Sequence, residues 1–180
     1  MMPKYVAFLR AINVGGRFVK MDRLRSVLEE LPFSTVETFI ASGNVILTTT
    51  SRAPAALEGK IERHLARRLG YAVPTHLRTP AELAVVASRK PFGQVALSAK
   101  GAAMYIGFVA KAPGPGVKDK LVTLKSATDE IQILGREVYW LRRVRSMENL
   151  RLMAKLDKAL GMPVTFRNLN TVEKLAAMHA

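Results

Sequence analysis

The chain has no cysteine, only one tryptophan and only three histidines among its 180 residues. The missing thiols exclude a disulfide framework, a thiolate zinc site, an iron–sulfur cluster and a cysteine nucleophile. The histidines, His64, His76 and His179, are scattered, and no pair stands at helical ligand spacing beside a carboxylate. Neither a metal nor a cofactor is therefore implied. Acidic residues are also scarce, 14 against 28 Lys plus Arg, which leaves a formal charge of +14. Long apolar runs are missing as well. The longest, residues 102–110, has nine residues, whereas a membrane span needs about 20. Near the N-terminus the apolar run of residues 5–9 stops at Arg10, short of the roughly 7 to 15 residues of a signal-peptide core. The expectation is a cytoplasmic protein with no membrane partner.

What is present suits a folded chain: 49% hydrophobic and 23% charged residues, close to the globular average. Residues 4–10 form a continuous apolar run, the pattern of a strand buried on both faces and central in its sheet. Asn13-Val14-Gly15-Gly16 breaks it, and Met21, Leu24, Val27, Leu28 and Leu31 then recur at helical spacing up to Pro32. Residues 36–41 and 45–49 are β-rich and flank Ser42-Gly43-Asn44, a hairpin signal. Leu57, Ile61, Leu65 and Leu69 repeat between Pro54 and Gly70, suitable first-turn and C-terminal residues for a second helix. Residues 73–77 read as a strand, and Thr79-Pro80-Ala81-Glu82 is a capping box opening a short helix to about Ser88.

The second half repeats this order. A strand at residues 103–109 precedes a Pro/Gly loop at 112–116 and a helix at 117–124. A hairpin of 130–134 with 137–141 around Gly135-Arg136, a helix at 146–160, a strand near Val164 and a tail helix from Thr171 follow. Leu69-Gly70, Val73-Pro74-Thr75 and Thr79 correspond to Leu160-Gly161, Pro163-Val164-Thr165 and Thr171, the trace of an internal duplication. The expected fold class is α+β: two ferredoxin-like β-α-β-β-α-β halves, residues 1–90 and 91–180, each followed by a short tail helix. Each half should form a four-stranded antiparallel sheet of strand order 4-1-3-2 with both main helices on one face.

In that topology the third strand runs antiparallel to the first, so the end of strand 1 and the turn between strands 2 and 3 share one sheet edge. Arg10, Asn13, Gly15 and Gly16 should then sit near Ser42, Gly43 and Asn44. One guanidinium, short polar side chains and glycine backbone can together cradle a phosphate or carboxylate. Their spacing matches neither a Walker loop nor a dinucleotide fingerprint, and Gly-Gly and Ser-Gly-Asn are also ordinary turn residues. A second polar run, Thr165, Arg167, Asn168, Asn170 and Thr171, precedes the tail helix. Capping by Asn170 or Thr171 would explain part of it, but not Arg167 and Asn168. Ser42 has no nucleophile-elbow context, and no residue stands out as general acid or base, so catalysis is left open.

Basic residues cluster at Lys60, Arg63, Arg67 and Arg68 and at Arg142, Arg143, Arg145 and Arg151, the kind of stripe that follows a phosphate backbone. The aromatic pattern of RNA-binding modules of this topology is absent: residues 45–48 carry no aromatic, and residues 135–141 lack the basic-Gly-aromatic signature. Tyr105, Phe108, Tyr139 and Trp140 read as core.

Residues 5–16 (Tyr5-Val6-Ala7-Phe8-Leu9-Arg10-Ala11-Ile12-Asn13-Val14-Gly15-Gly16), Met21 with Leu24-Arg25, and Thr38-Phe39-Ile40-Ala41-Ser42-Gly43-Asn44-Val45 resemble the N-terminal signatures of the bacterial domain-of-unknown-function 1697 family. Residues 165–172, Thr165-Phe166-Arg167-Asn168-Leu169-Asn170-Thr171-Val172, with Lys174-Leu175, resemble its closing motif. Ala11, Ala41 and Leu169 depart from the family's usual Gly, Gln and aromatic residues, and the last departure removes a stacking group. The resemblance implies ferredoxin-like halves, no assigned activity, and two polar runs that are signature positions. The leading reading is binding of a small anionic or phosphorylated ligand. Its alternatives are nucleic-acid binding along the basic helix faces and a structural or interaction role, with the oligomeric state open.

Overall fold

The computed structural model describes residues 2–93 and 98–178, with the side chains of residues 118, 122 and 147–150 outside that description. The chain divides into two compact units, Met1–Glu82 and Leu83–Ala180.

Unit 1 contains β1 (Lys4–Leu9), α1 (Met21–Glu29), β2 (Thr35–Phe39), β3 (Asn44–Thr48), α2 (Pro54–Leu69) and β4 (Thr75–Arg78). Its sheet has the order β2-β3-β1-β4 with every pair antiparallel, the expected arrangement. The unbroken apolar run of β1 follows from burial of both faces. Tyr5, Ala7 and Leu9 join Val45, Leu47 and Leu77 in the core with α1 and α2, which contribute Leu24, Val27 and Leu28, and Leu57, Ile61 and Leu65. Val6, Phe8 and Ile46 point to the opposite face and are buried too. Each such fully buried apolar side chain contributes about 1.5–3 kcal/mol. The helices are tied together where His64 Nε2 of α2 donates to Val27 O of α1 at 2.7 Å.

An edge strand leaves one row of backbone donors without a partner strand. In β4 that row is taken by α2: Thr75 N donates to Glu62 Oε1 at 2.8 Å and Leu77 N to Glu58 Oε1 at 2.7 Å. The strand begins at Thr75, later than the residues 73–77 expected from sequence, because Pro74 has no N–H for a ladder; its carbonyl instead accepts Arg10 N at 2.9 Å.

The division between the units falls inside α3 (Pro80–Ser88). Its capping box is reciprocal: Thr79 N donates to Glu82 Oε2 at 2.8 Å, and Glu82 N donates to Thr79 Oγ1 at 3.2 Å. Unit 2 continues with β5 (Ala103–Phe108), α4 (Pro115–Val122), β6 (Asp129–Leu134), β7 (Glu137–Arg142), α5 (Met147–Leu160), β8 (Thr165–Asn168) and α6 (Leu169–Ala177). Its sheet order, β6-β7-β5-β8, repeats that of unit 1. One face packs Val138, Trp140, Leu152 and Leu156. On the other, Ile106, Phe108 and Tyr139 are fully buried, Tyr139 Oη donates to Val86 O of α3 at 3.1 Å, and α6 packs on β5.

Strand register gives the internal correspondence residue by residue. Phe8 pairs with Asn44, which opens β3, and Phe108 pairs with Glu137, which opens β7. Phe8 and Phe108 are therefore equivalent. Phe8 then faces His76 and Phe108 faces Thr165, so Arg78 is equivalent to Arg167. The sequence-level match of Thr75 with Thr165 is thus one residue out of register. Among the described residues, no helix is long and apolar enough to cross a membrane.

Candidate functional site

The edge where β1 ends is built by backbone first. Leu9 N donates to Gly43 O at 2.8 Å, which joins the end of β1 to the turn between β2 and β3. Four residues, 40–43, make that turn, because Asn44 belongs to β3 and pairs with Phe39. Sequence reasoning placed Asn44 in the turn; its buried side chain does serve the turn, donating from Nδ2 to Phe39 O at 3.1 Å and to Ser42 Oγ at 2.9 Å. Gly43 is at φ +75°, and a Cβ there would lie 2.9 Å from Ile12 Cβ and 3.1 Å from Leu9 O. Only glycine fits between the two strand ends.

Asn13 is the second staple. Its Nδ2 donates to Ala41 O at 2.9 Å, and its Oδ1 accepts Val19 N at 2.7 Å. One side chain thereby anchors the loop following β1 both to the turn and to its own far end. Within that loop Arg17 N donates to Val14 O at 3.1 Å. Gly15 and Gly16 at φ +60° and +79° supply the left-handed pair of a type I′ turn. A Cβ on either glycine would meet nothing within 4 Å, so they are needed for backbone conformation.

Both asparagines therefore hold the frame. The same edge carries the half-buried Arg10 and the half-buried Ser42, whose hydroxyl oxygen already accepts from Asn44 and whose proton can still donate. Around them Val14, Phe18 and Ile40 are exposed, Phe18 by 77%. Ala11, Asn13 and Ile40 have φ of +60°, +54° and +50°, the left-handed region that a β-branched residue such as Ile40 rarely enters.

The second polar run resolves differently. Asn168 is the N-cap of α6, its Oδ1 accepting Asn170 N at 2.9 Å. Capping thus falls two residues before Asn170 and three before Thr171, and it explains Asn168. Arg167 lies in β8 and is buried, donating from Nη1 to Phe166 O at 2.8 Å, and burial lowers its pKa to about 10. Its equivalent Arg78 is 1% exposed and donates from Nη1 to Leu77 O at 2.7 Å. A buried arginine thus occupies one register position in both units, alternating with a residue packed in the helix-side core, Leu77 or Phe166. Sequence reasoning missed Arg78, because the one-residue error in the correspondence hid its match. Arg167, Asn168 and Asn170 belong to unit 2, and the Arg10 edge belongs to unit 1.

The basic stripes are partly spent within the fold. Arg68 Nη2 donates to Glu30 Oε1 at 2.7 Å, the Arg142 guanidinium lies 5.1 Å from the centre of the Tyr105 ring, and Arg143 pairs with Glu130. Arg145 is exposed. Lys60, Arg63 and Arg67 are also exposed, with no acidic partner among the described residues. Tyr105 stacks on Trp140 at 5.0 Å between ring centres, and Phe166 meets Trp140 edge-on at 5.7 Å, on the face covered by helices. Trp140 is a core residue, and Tyr105 and Phe166 pack half-buried against it. His64 and His76 are buried in unit 1, and His179 lies outside the described residues. Among the described residues no three His, Asp or Glu side chains converge as metal ligands would.

Two successive four-stranded antiparallel sheets of one topology, each followed by a tail helix, define a duplicated α+β protein. The chain belongs to the family described as protein of unknown function (DUF1697), which matches residues 2–139. That span includes the Arg10 edge and stops before the run at Arg167. The conserved bacterial protein SP0830 from Streptococcus pneumoniae has a similar structure, with a TM-score of 0.69 and 24% identity over 99% of this chain and 98% of that one. This likeness bears on the fold. Comparison with curated proteins gives no match.

Proposed function

We propose that the protein binds a small anionic or phosphorylated ligand at the edge formed by Arg10, Ser42 and the turns around them. The observation that carries this reading is the concentration of left-handed, non-glycine backbone at Ala11, Asn13 and Ile40, the residues flanking Arg10 and Ser42. Such conformations cost of order 1–3 kcal/mol each and tend to collect where geometry is needed for binding. Here the Asn13 and Asn44 staples support them. The rigid frame would present the planar Arg10 fork bidentately to a phosphate or carboxylate, with the Ser42 hydroxyl as a further donor. Exposed Val14, Phe18 and Ile40 would flank an apolar portion of the ligand.

The test is titration of isotope-labelled protein with inorganic phosphate, followed by amide chemical shifts. Saturable shifts at residues 10–16 and 40–44 are expected. Arg10→Lys keeps the charge and loses the fork, so it should weaken binding by more than a charge count predicts, and Arg10→Ala should abolish it with the fold intact. Unchanged affinity in Arg10→Ala overturns the reading.

One observation favours a second reading, nucleic-acid binding along α2: Lys60, Arg63 and Arg67 lie on successive turns, exposed and without acidic partners among the described residues. Log affinity for single strands should then fall with log salt at about −0.7 per contact, and Arg63→Glu with Arg67→Glu should abolish binding. Absence of binding at about 50 mM salt removes this reading.

A further inference from the structure

A concavity lies wholly within unit 2, and it is argued independently of the Arg10 edge. The segment between α4 and β6 and the exposed side of α5 enclose a cleft of about 280 Å³. Three cations line it: Lys125 from the connecting segment, and Arg151 and Lys155 from α5. Arg151 and Lys155 are four residues apart and therefore lie on one helix face. All three are exposed, and none has an acidic partner among the described residues. Like charges at this spacing repel in the absence of a counter-charge, so the cleft favours an anion.

Its floor is rigid. Asp129, 3% exposed, accepts the Trp140 indole N–H on Oδ1 at 2.8 Å, and its Oδ2 accepts Ser126 Oγ at 3.1 Å and Thr128 Oγ1 at 2.8 Å. Ser126 Oγ in turn accepts Asp129 N at 3.1 Å. The carboxylate is thus held by neutral donors, and the three cations still outnumber it. Leu124 and Leu152 supply an apolar wall. The volume lies just below the range of roughly 300–1,000 Å³ typical of small-molecule sites, which suits one phosphate on a small organic group.

We propose that this cleft is a phosphomonoester site, with the phosphate held by Lys125, Arg151 and Lys155 and the organic group against Leu124 and Leu152. Trp140 is the only tryptophan in the chain, and its hydrogen bond to the floor makes it a built-in reporter. The test is titration of the full-length protein with phenyl phosphate at low salt, read by Trp140 fluorescence and by calorimetry, with inorganic phosphate and phenol as comparison probes. A saturable change is expected for phenyl phosphate, a weaker one for inorganic phosphate and none for phenol. Arg151→Gln and Lys155→Gln should each lower affinity by roughly threefold, and together by about tenfold. Both positions are exposed, and circular dichroism would verify that the variants remain folded. Arg10→Ala should leave the Trp140 response to phenyl phosphate unchanged while removing any heat contributed by the edge, which separates the cleft from the edge site. Wild-type affinity in the double variant, or equal responses to phenyl phosphate and phenol, overturns the proposal.

Discussion

Replacing Gly43 by alanine tests whether the most restrictive glycine of the signature region serves architecture. Two costs add. At φ +75° a residue with a Cβ pays about 1–2 kcal/mol relative to glycine. The new atom would also stand 2.9 Å from Ile12 Cβ, 3.0 Å from Ile12 Cγ1 and 3.1 Å from Leu9 O, an overpacking that costs about 1–3 kcal/mol. Relief by movement is restricted, because Leu9 N is bonded to Gly43 O at 2.8 Å and Ile12 is only 3% exposed. The sum, about 2–5 kcal/mol, corresponds to a fall in Tm of roughly 6–15 °C for a chain of this length. Gly16→Ala supplies the control: with φ +79° but nothing within 4 Å, it should lose only about 1–2 kcal/mol. Thermal unfolding by circular dichroism and urea midpoints at constant m-value would measure both. Adding Ile12→Ala, which removes Cγ1 at 3.0 Å but keeps Cβ at 2.9 Å, should relieve only part of the Gly43→Ala penalty in a double-mutant cycle. If Gly43→Ala proves no worse than Gly16→Ala, the close approach of Ile12 is not what requires glycine.

Asn13→Ala removes two hydrogen bonds and should cost about 1–2 kcal/mol, with faster hydrogen exchange at Val19 N–H, the donor to Asn13 Oδ1; unchanged protection there refutes the staple. Burial raises the Tyr139 pKa above its ordinary value of 10.0, so the folded state keeps this proton to higher pH than the unfolded state does. The associated stability is fully present below about pH 10 and is lost as pH rises beyond it. Tyr139→Phe should therefore cost about 1 kcal/mol at pH 8, through the lost Val86 bond, and flatten the alkaline loss in urea unfolding between pH 8 and 11. Equal alkaline slopes in the two proteins would refute the assignment. Asn168→Ala should lose about 1 kcal/mol of capping and Asn168→Asp should retain most of it; a fully stable alanine variant would show that Asn170 or Thr171 takes over the cap.

Element order was legible because each element records its surroundings within a few residues. The helical repeats of Leu24, Val27 and Leu28 and of Leu57, Ile61 and Leu65, the Thr79 to Glu82 capping box and the two-residue turn Gly135-Arg136 are all local patterns, and the structure places them as read. Even the approach of the end of β1 to the turn between β2 and β3 followed from topology, since antiparallel pairing of strands 1 and 3 leaves no other edge for them. Side-chain roles were not legible, because they depend on partners distant in sequence. Asn13 reads as a ligand group until Ala41 O is seen to occupy it, and Gly43 reads as a flexible turn residue until Ile12 is found against it. Nothing in the sequence marks Glu58 and Glu62, yet they cap the edge of β4. Arg78 and Arg167 became equivalent only through strand register, in which a one-residue slip moves a side chain to the other face of the sheet. Composition and periodicity determine which segments fold and in which order, through near-neighbour sterics and burial. Tertiary packing decides what each polar group faces, because hydrogen-bond partners and close contacts are set by register between segments far apart in the chain.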